Sequence, residues 1–168
     1  FNDVAVASLV LLAEGAAQNI LVVDLDVHQG DGTADILRDK PRVFTFSMHG
    51  DRNYPVRKIA SDLDIALPDG TGDAAYLERL AAILPELSAR AHWDIVFYNA
   101  GVDVHAQDRL GRLTLSDDGL RARDEMVIRH FRALGIPVCG VIGGGYSTDV
   151  PALAARHAIL FEVASSYT

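Results

Sequence analysis

The sequence predicts an α/β fold in three layers, a mostly parallel sheet with helices on both faces. Three observations carry that prediction. Short runs rich in Val, Ile and Phe alternate with longer stretches of helical pattern, the order that builds a parallel sheet from crossover units. The runs are apolar almost throughout, as strands covered on both faces must be. Metal-type side chains gather where the runs end, and open α/β sheets bind ligands beyond the carboxyl ends of their strands.

Each element has its own grounds. Residues 4–15 are apolar at nearly every position and stop at Gly15, which predicts a buried helix capped by Asp3. Residues 20–27 form the first strand and 30–38 a short helical turn. Residues 43–48 read as the second strand, 49–58 as a polar loop, and 64–67 as a short strand closed by Pro68-Asp69-Gly70. Asp73 opens a helix through Ala89, with Leu77, Leu80, Ile83 and Leu84 at helical spacing. Residues 94–99 form the next strand. A helix from Ser116 to Leu134 begins on a hydroxyl cap and two acidic residues, both suited to an N-terminus, and ends at Gly135. Residues 137–142 are the last strand, and Thr148 or Asp149 opens a final helix through Ala158. With no repeat or linker in sight, residues 1–168 read as a single domain or one piece of a larger one.

Composition narrows the function classes. The chain has 168 residues, 49% of them hydrophobic, and a net charge of −8. That charge argues against direct nucleic-acid binding and against anionic membranes, while leaving room for a cationic substrate. No run of 18 apolar residues suggests a membrane span, and the first residues lack the basic start of a signal peptide. The lone Cys139 allows no internal disulfide, so a cytoplasmic setting is expected, and its apolar surroundings predict a buried side chain. Nothing in the sequence fixes an oligomeric state.

The most telling stretch is Asp24-Leu-Asp26-Val-His28-Gln-Gly30-Asp31-Gly-Thr33. In an extended segment alternate residues share a side, so Asp24, Asp26 and His28 start out aimed together. Burying them unpaired would be unfavourable, which favours a bound cation over a merely structural cluster. Asp103, in Asn99-Ala-Gly-Val-Asp103, ends another strand, and Tyr146 follows Gly143-Gly144-Gly145 at a third. Asp26, His28 and Asp103 would make an O/N/O site with an open position, as catalytic zinc has. A phenol at Tyr146 could donate to a developing oxyanion. Taken singly, Asp103 reads as a turn residue and Tyr146 as a packing residue. His49, His92, His130 and His157 read as surface or capping residues, and His105 as a pocket-rim residue.

Together these motifs, with Phe1-Asn-Asp-Val-Ala-Val6 and Val43-Phe-Thr-Phe-Ser47-Met-His49, resemble the histone deacetylase family of zinc hydrolases, which has the arginase/deacetylase fold. Gln29 and Asp108-Arg-Leu-Gly-Arg-Leu-Thr114 are most similar to its class IV and related bacterial branch. The resemblance implies zinc ligands at Asp26, His28 and Asp103, with Tyr146 polarising the amide carbonyl. It implies a structural potassium held by Asp24, by the Ser47 hydroxyl and by backbone oxygens of Asp24, Asp26, His28 and Met48, oxygen-only donors that suit a hard cation. It implies that Asp24 and Asp31 hydrogen-bond and orient a catalytic histidine pair, and that Tyr54 with the Gly144–Gly145 backbone lines an acyl-lysine tunnel. The family's tandem histidines precede the Phe1-Asn2-Asp3 motif, so this chain is expected to be the C-terminal part of a deacetylase catalytic domain, incomplete on its N-terminal side and inactive alone. The implied substrate is an acylated lysine or an acetylated amine. Two other readings stay open: a non-catalytic metal-binding scaffold, and a magnesium-dependent phosphotransferase of the haloacid-dehalogenase type. The latter shares the Asp-x-Asp at Asp24 and Asp26 but wants a hydroxyl residue where His28 stands and a lysine downstream of Lys58, where there is none.

Overall fold

A computed structural model describes residues 2–167. The elements run α1 (Asp3–Ala13), β1 (Ile20–Asp24), α2 (Asp31–Leu37), β2 (Val43–Gly50), β3 (Leu63–Leu67), α3 (Asp73–Ala89), β4 (Ile95–Asn99), α4 (Asp117–Ala133), β5 (Val138–Val141) and α5 (Val150–Ser165). All five strands are parallel, in the order β3-β2-β1-β4-β5. The three-layer α/β expectation holds. Strand alternation divides the core. Ile20 and Val22 pack with Val4, Ala5 and Phe97 on the α1 side. Leu21 and Val23 pack with Tyr76, Leu80, Leu84, Leu120, Val127 and Phe131 of α3 and α4 on the other.

This strand order positions the site. β1 is central, and the chain builds outward first to β2 and β3, then crosses back to β4 and β5. The seam between β1 and β4 is therefore the topological switch point, where connections leave in opposite directions and open a crevice at the carboxyl edge.

Several local expectations are corrected. Asn2, not Asp3, caps α1: its side chain accepts the Ala5 N–H, while Asp3 sits in the first turn. α1 is buried on one side only; Val6 and Val10 are about half exposed, at 54% and 46%. α3 is capped without a side chain at Gly72, because the Asp73 carboxylate is turned to the Ser116 N–H and hydroxyl instead. β2 extends through His49 to Gly50, and α5 runs on to Ser165 because Ile159, Leu160 and Val163 continue its buried stripe. Cys139 is exposed. It shares the side of its register partner Phe97 but lies on the edge strand, where that side is open. His49 and His105 are buried, at 2% and 5% exposure. The Ser116 cap and the stop at Gly135, with its left-handed φ of 75°, are as expected.

Candidate metal centre

β1 ends at Asp24, so strand alternation does not carry Asp26 and His28 to their places. Side-chain hydrogen bonds do. Asp24 Oδ1 accepts the Asp26 N–H at 3.0 Å, and Asp26 Oδ1 accepts the His28 N–H at 2.9 Å. Each carboxylate thus caps the backbone two residues on, as Asx turns do, and the chain curls over the β1–β4 seam. From the far side of the seam comes Asp103, whose Oδ1 accepts the Val27 N–H at 2.8 Å.

The result is a cluster of three donors. His28 Nδ1 lies 3.1 Å from Asp26 Oδ1 and 3.0 Å from Asp103 Oδ2, and one ligand atom from each residue falls within 4.8 Å of the others. Donors about 2.0–2.2 Å from a tetrahedral ion stand roughly 3.4 Å apart, so this spacing needs only slight opening to admit one. The three residues expected to hold a metal are thus brought together at a spacing that could hold one ion.

Electrostatics point the same way. Hydrogen bonds to Asp103 and then Asp26 outweigh partial burial and lift His28 to about 10. Burial, offset in part by His28, raises Asp103 to about 6. Burial also acts to raise Asp26, but hydrogen bonds from the His28 ring and from the His28 and Gly144 N–H groups win and hold it low. Asp24 is pushed up by burial and by the neighbouring Asp26 charge. A metal-free cluster thus keeps a proton on His28, in the place where a cation would sit.

Backbone walls close in on the carboxylates. The Gly144 N–H donates to Asp26 Oδ2 at 2.6 Å. A Cβ at Gly144 would lie 2.0 Å from Asp103 Oδ2 and 2.9 Å from Asp26 Oδ2, and one at Gly101 would lie 2.4 Å from Asp26 Oδ2. Gly144→Ala is therefore expected to weaken metal capture by at least about tenfold, the scale on which groups supporting metal ligands act. Competition against a chromophoric chelator reads this directly, and an unchanged affinity would contradict the steric argument.

The other expected site residues fall around this cluster in different ways. The Tyr146 ring stands edge-on to the His28 imidazole, with centroids 5.8 Å apart and planes at 88°. Its N–H is held by Asp108 Oδ2 at 2.7 Å. Asp24 and Asp31 line one open depression with Asp26, His28 and Asn99, and Asn99 Nδ2 donates to Asp24 Oδ1 at 2.9 Å. Ser47 is the register partner of Asp24 on β2, and Met48 is buried beside it; the Ser47 hydroxyl is engaged with His49 Nδ1 at 3.0 Å. Tyr54 is 69% exposed on the β2–β3 loop. That loop is tied to the 104–115 loop by Asn53, which donates to the Leu110 carbonyl at 2.8 Å, and Gly145 follows Gly144 toward Tyr146. Gln29 Nε2 donates to the Ile59 carbonyl of that loop at 2.7 Å and to Asp64 Oδ1 of β3 at 2.9 Å.

Sequence reasoning missed two groups. Asp108, which anchors Tyr146, was legible only as part of a loop motif. Arg123 and Asp124 are buried in α4 at 0% and 2% exposure. Their signal was present: they stand three and four residues after Leu120 and before Val127 and Ile128, within the apolar stripe of an otherwise polar helix.

The histone deacetylase domain family model matches residues 1–161. The chain belongs to the histone deacetylase family. Among its relatives is an uncharacterized protein of Picosynechococcus sp., 50% identical over 97% of this chain and 54% of its own length. Histone deacetylase 2 of Arabidopsis thaliana is 36% identical over 76% of this chain and 34% of its own. Among solved structures, the acetylpolyamine aminohydrolase of Burkholderia pseudomallei superposes with a TM-score of 0.81 at 27% identity, covering 97% of this chain and 49% of that one. The HDA15 HD domain does so with a TM-score of 0.79 at 26% identity, covering 96% and 49%. This histone deacetylase-family chain therefore spans about half the length of the solved relatives it matches. Membership in this family removes the phosphotransferase alternative. Among the described residues, no helix is long and apolar enough to cross a membrane.

Proposed function

We propose that this chain supplies the zinc ligands and the oxyanion donor of a hydrolase that removes an acetyl or longer acyl group from a primary amine, either a lysine side chain or an acetylated polyamine. The observation that carries the reading is the convergence of Asp26, His28 and Asp103 from both sides of the β1–β4 seam, with Tyr146 beside them. A zinc ion, when bound, supplies Lewis acidity: it polarises the acyl carbonyl and eases the ionisation of water.

The side chains do the rest. Tyr146 donates its phenolic proton toward the carbonyl oxygen as negative charge builds there. Burial and the nearby Asp26 and Asp103 charges raise its pKa above the ordinary value, so it stays a donor at neutral pH. Asp24 and Asp31 are assigned to orient an imidazole proton carrier. Asp24, the Ser47 hydroxyl and the Met48 backbone, with the backbone oxygens of Asp26 and His28, are assigned to a structural potassium. Tyr54 and the Gly144–Gly145 backbone are assigned to the wall that guides the acyl-amine chain. In the net reaction water adds to the carbonyl carbon, the C–N bond breaks, and the amine leaves with a proton.

Zinc capture should be proton-linked. Zinc needs an unprotonated Nδ1, and His28 titrates at about 10 in the free cluster. Between pH 6 and 10, binding must expel that proton. Below Asp103's value of about 6 it must expel a second. Affinity is therefore expected to climb about tenfold per pH unit through neutrality and more steeply below 6. Calorimetry at pH 7.5 in buffers of different ionisation enthalpy should find about one proton released per zinc. Release of none would sink the assignment of His28.

None of the other histidines hydrogen-bonds to Asp26, His28 or Asp103 among the described residues. The 168 residues alone are thus expected to bind zinc but to show little turnover, for want of a general base. The deciding experiment is a panel of acetyl-lysine peptides and acetylated polyamines, assayed with this chain and with the intact enzyme. Release of acetate by the intact enzyme supports the reading; robust release by the isolated chain removes the claim of a missing base.

A further inference from the structure

We propose that Arg123 is a positioning residue for the metal centre: its guanidinium fastens together the two strand ends that carry Asp26 and Asp103 and so sets the separation of those ligands. The inference rests on reading Asp26, His28 and Asp103 as metal ligands.

The geometry is specific. One guanidinium nitrogen donates to the Gly101 carbonyl at 2.6 Å and, at a longer 3.4 Å, to the Leu25 carbonyl. Leu25 directly precedes Asp26, and Gly101 lies two residues before Asp103. One carbonyl belongs to the run after β1 and the other to the run after β4, so a single group bridges the seam at its carboxyl edge. The direct backbone tie at this level is the Leu25 N–H to the Asn99 carbonyl, at 3.0 Å. Among the described residues no other backbone hydrogen bond joins residues 25–28 to residues 100–103, and the Leu25 and Gly101 carbonyls take their donor from a side chain.

A second set of contacts fixes the guanidinium itself. Its Nε donates to Asp124 Oδ1 at 2.9 Å, and the same oxygen accepts the Tyr98 hydroxyl at 2.5 Å. Tyr98 lies on β4, so the clamp is referenced to the strand that delivers Asp103. Tyr76 of α3 is buried in the same surroundings. A buried ion pair contributes little to stability that apolar packing could not match. What apolar side chains cannot do is hold two carbonyls of different strands at fixed distance, and a planar fork can do so while its other edge meets a carboxylate.

Cobalt(II), titrated into the chain and followed by visible absorption and far-UV circular dichroism, tests this without any turnover. The unaltered chain should bind cobalt with the absorption of a low-coordinate site; if it takes none, the ligand reading fails and the proposal falls with it. Two variants then isolate Arg123. Arg123→Lys keeps the charge opposite Asp124 but loses the fork. The double change Arg123→Met with Asp124→Leu removes both charges, so that neither is buried alone. In each folded variant cobalt affinity should fall about 10- to 100-fold, with a changed visible band and unchanged far-UV signal. A residue that merely supports the fold would lower the melting temperature and leave the spectrum of the folded, cobalt-loaded chain as it was. Should the double variant not fold, Arg123→Lys decides alone. Unaltered affinity and spectrum in a folded variant, while the unaltered chain binds cobalt, would overturn the positioning role and leave the ligand reading intact.

Discussion

Asp124→Ala is expected to lower the free energy of unfolding by about 3–5 kcal/mol, the cost of leaving one member of a buried ion pair uncompensated. Arg123 is fully buried, and its ion-pair contact among the described residues is Asp124, at 2.9 Å. The substitution also strips the Tyr98 hydroxyl of its acceptor. Since a domain of this size is stable by only about 5–15 kcal/mol, a large share of the total is at stake. Urea unfolding of the metal-free chain, followed by far-UV circular dichroism, measures it. A loss below about 1 kcal/mol would mean that the guanidinium finds water or another partner. Removing both charges at once should restore the part of the loss that comes from the unpaired charge, while the Tyr98 hydroxyl still lacks its acceptor.

Tyr146→Phe should reduce kcat of the intact enzyme by a factor on the order of 10²–10³, with little change in KM, as removal of one oxyanion donor does elsewhere. The fold should not notice. Tyr146 is 44% exposed, and phenylalanine preserves its ring contact with His28. Its backbone anchor, the N–H to Asp108, is independent of the phenol. Activity within about threefold of the unaltered enzyme on an acetyl-lysine peptide would remove Tyr146 from the reaction.

The sheet was legible in the sequence because its strands are apolar on both sides, and a run such as Ile20-Leu-Val-Val offers no competing periodicity. The site was legible for a different reason. Carboxylates and an imidazole that close an apolar strand have few physical uses besides a cation. The path to the site was not legible: alternation aims Asp26 and His28 only along a continuing strand, whereas β1 stops at Asp24 and Asx turns take over. Caps were misplaced where two polar residues compete, as at Asn2 and Asp3, or where a distant hydroxyl draws the carboxylate away, as Ser116 does from Asp73. Burial at Cys139 and His49 was not legible, since the local pattern shows neither the edge position of β5 nor that β2 runs on through His49 to Gly50. Arg123 and Asp124 escaped notice because charge within an apolar stripe reads first as the stripe's border.

The glycines around the carboxylates have a consequence for entropy. Among the described residues positive φ is confined to Gly15, Gly70 and Gly135, so Gly101 and Gly144 serve by being small rather than by reaching unusual dihedral angles. The surfaces they press against Asp26 and Asp103 are main chain, which has no rotamers of its own to exchange. Both carboxylates are therefore immobilised when the chain folds, and the ordering they would otherwise undergo on meeting a cation has already taken place.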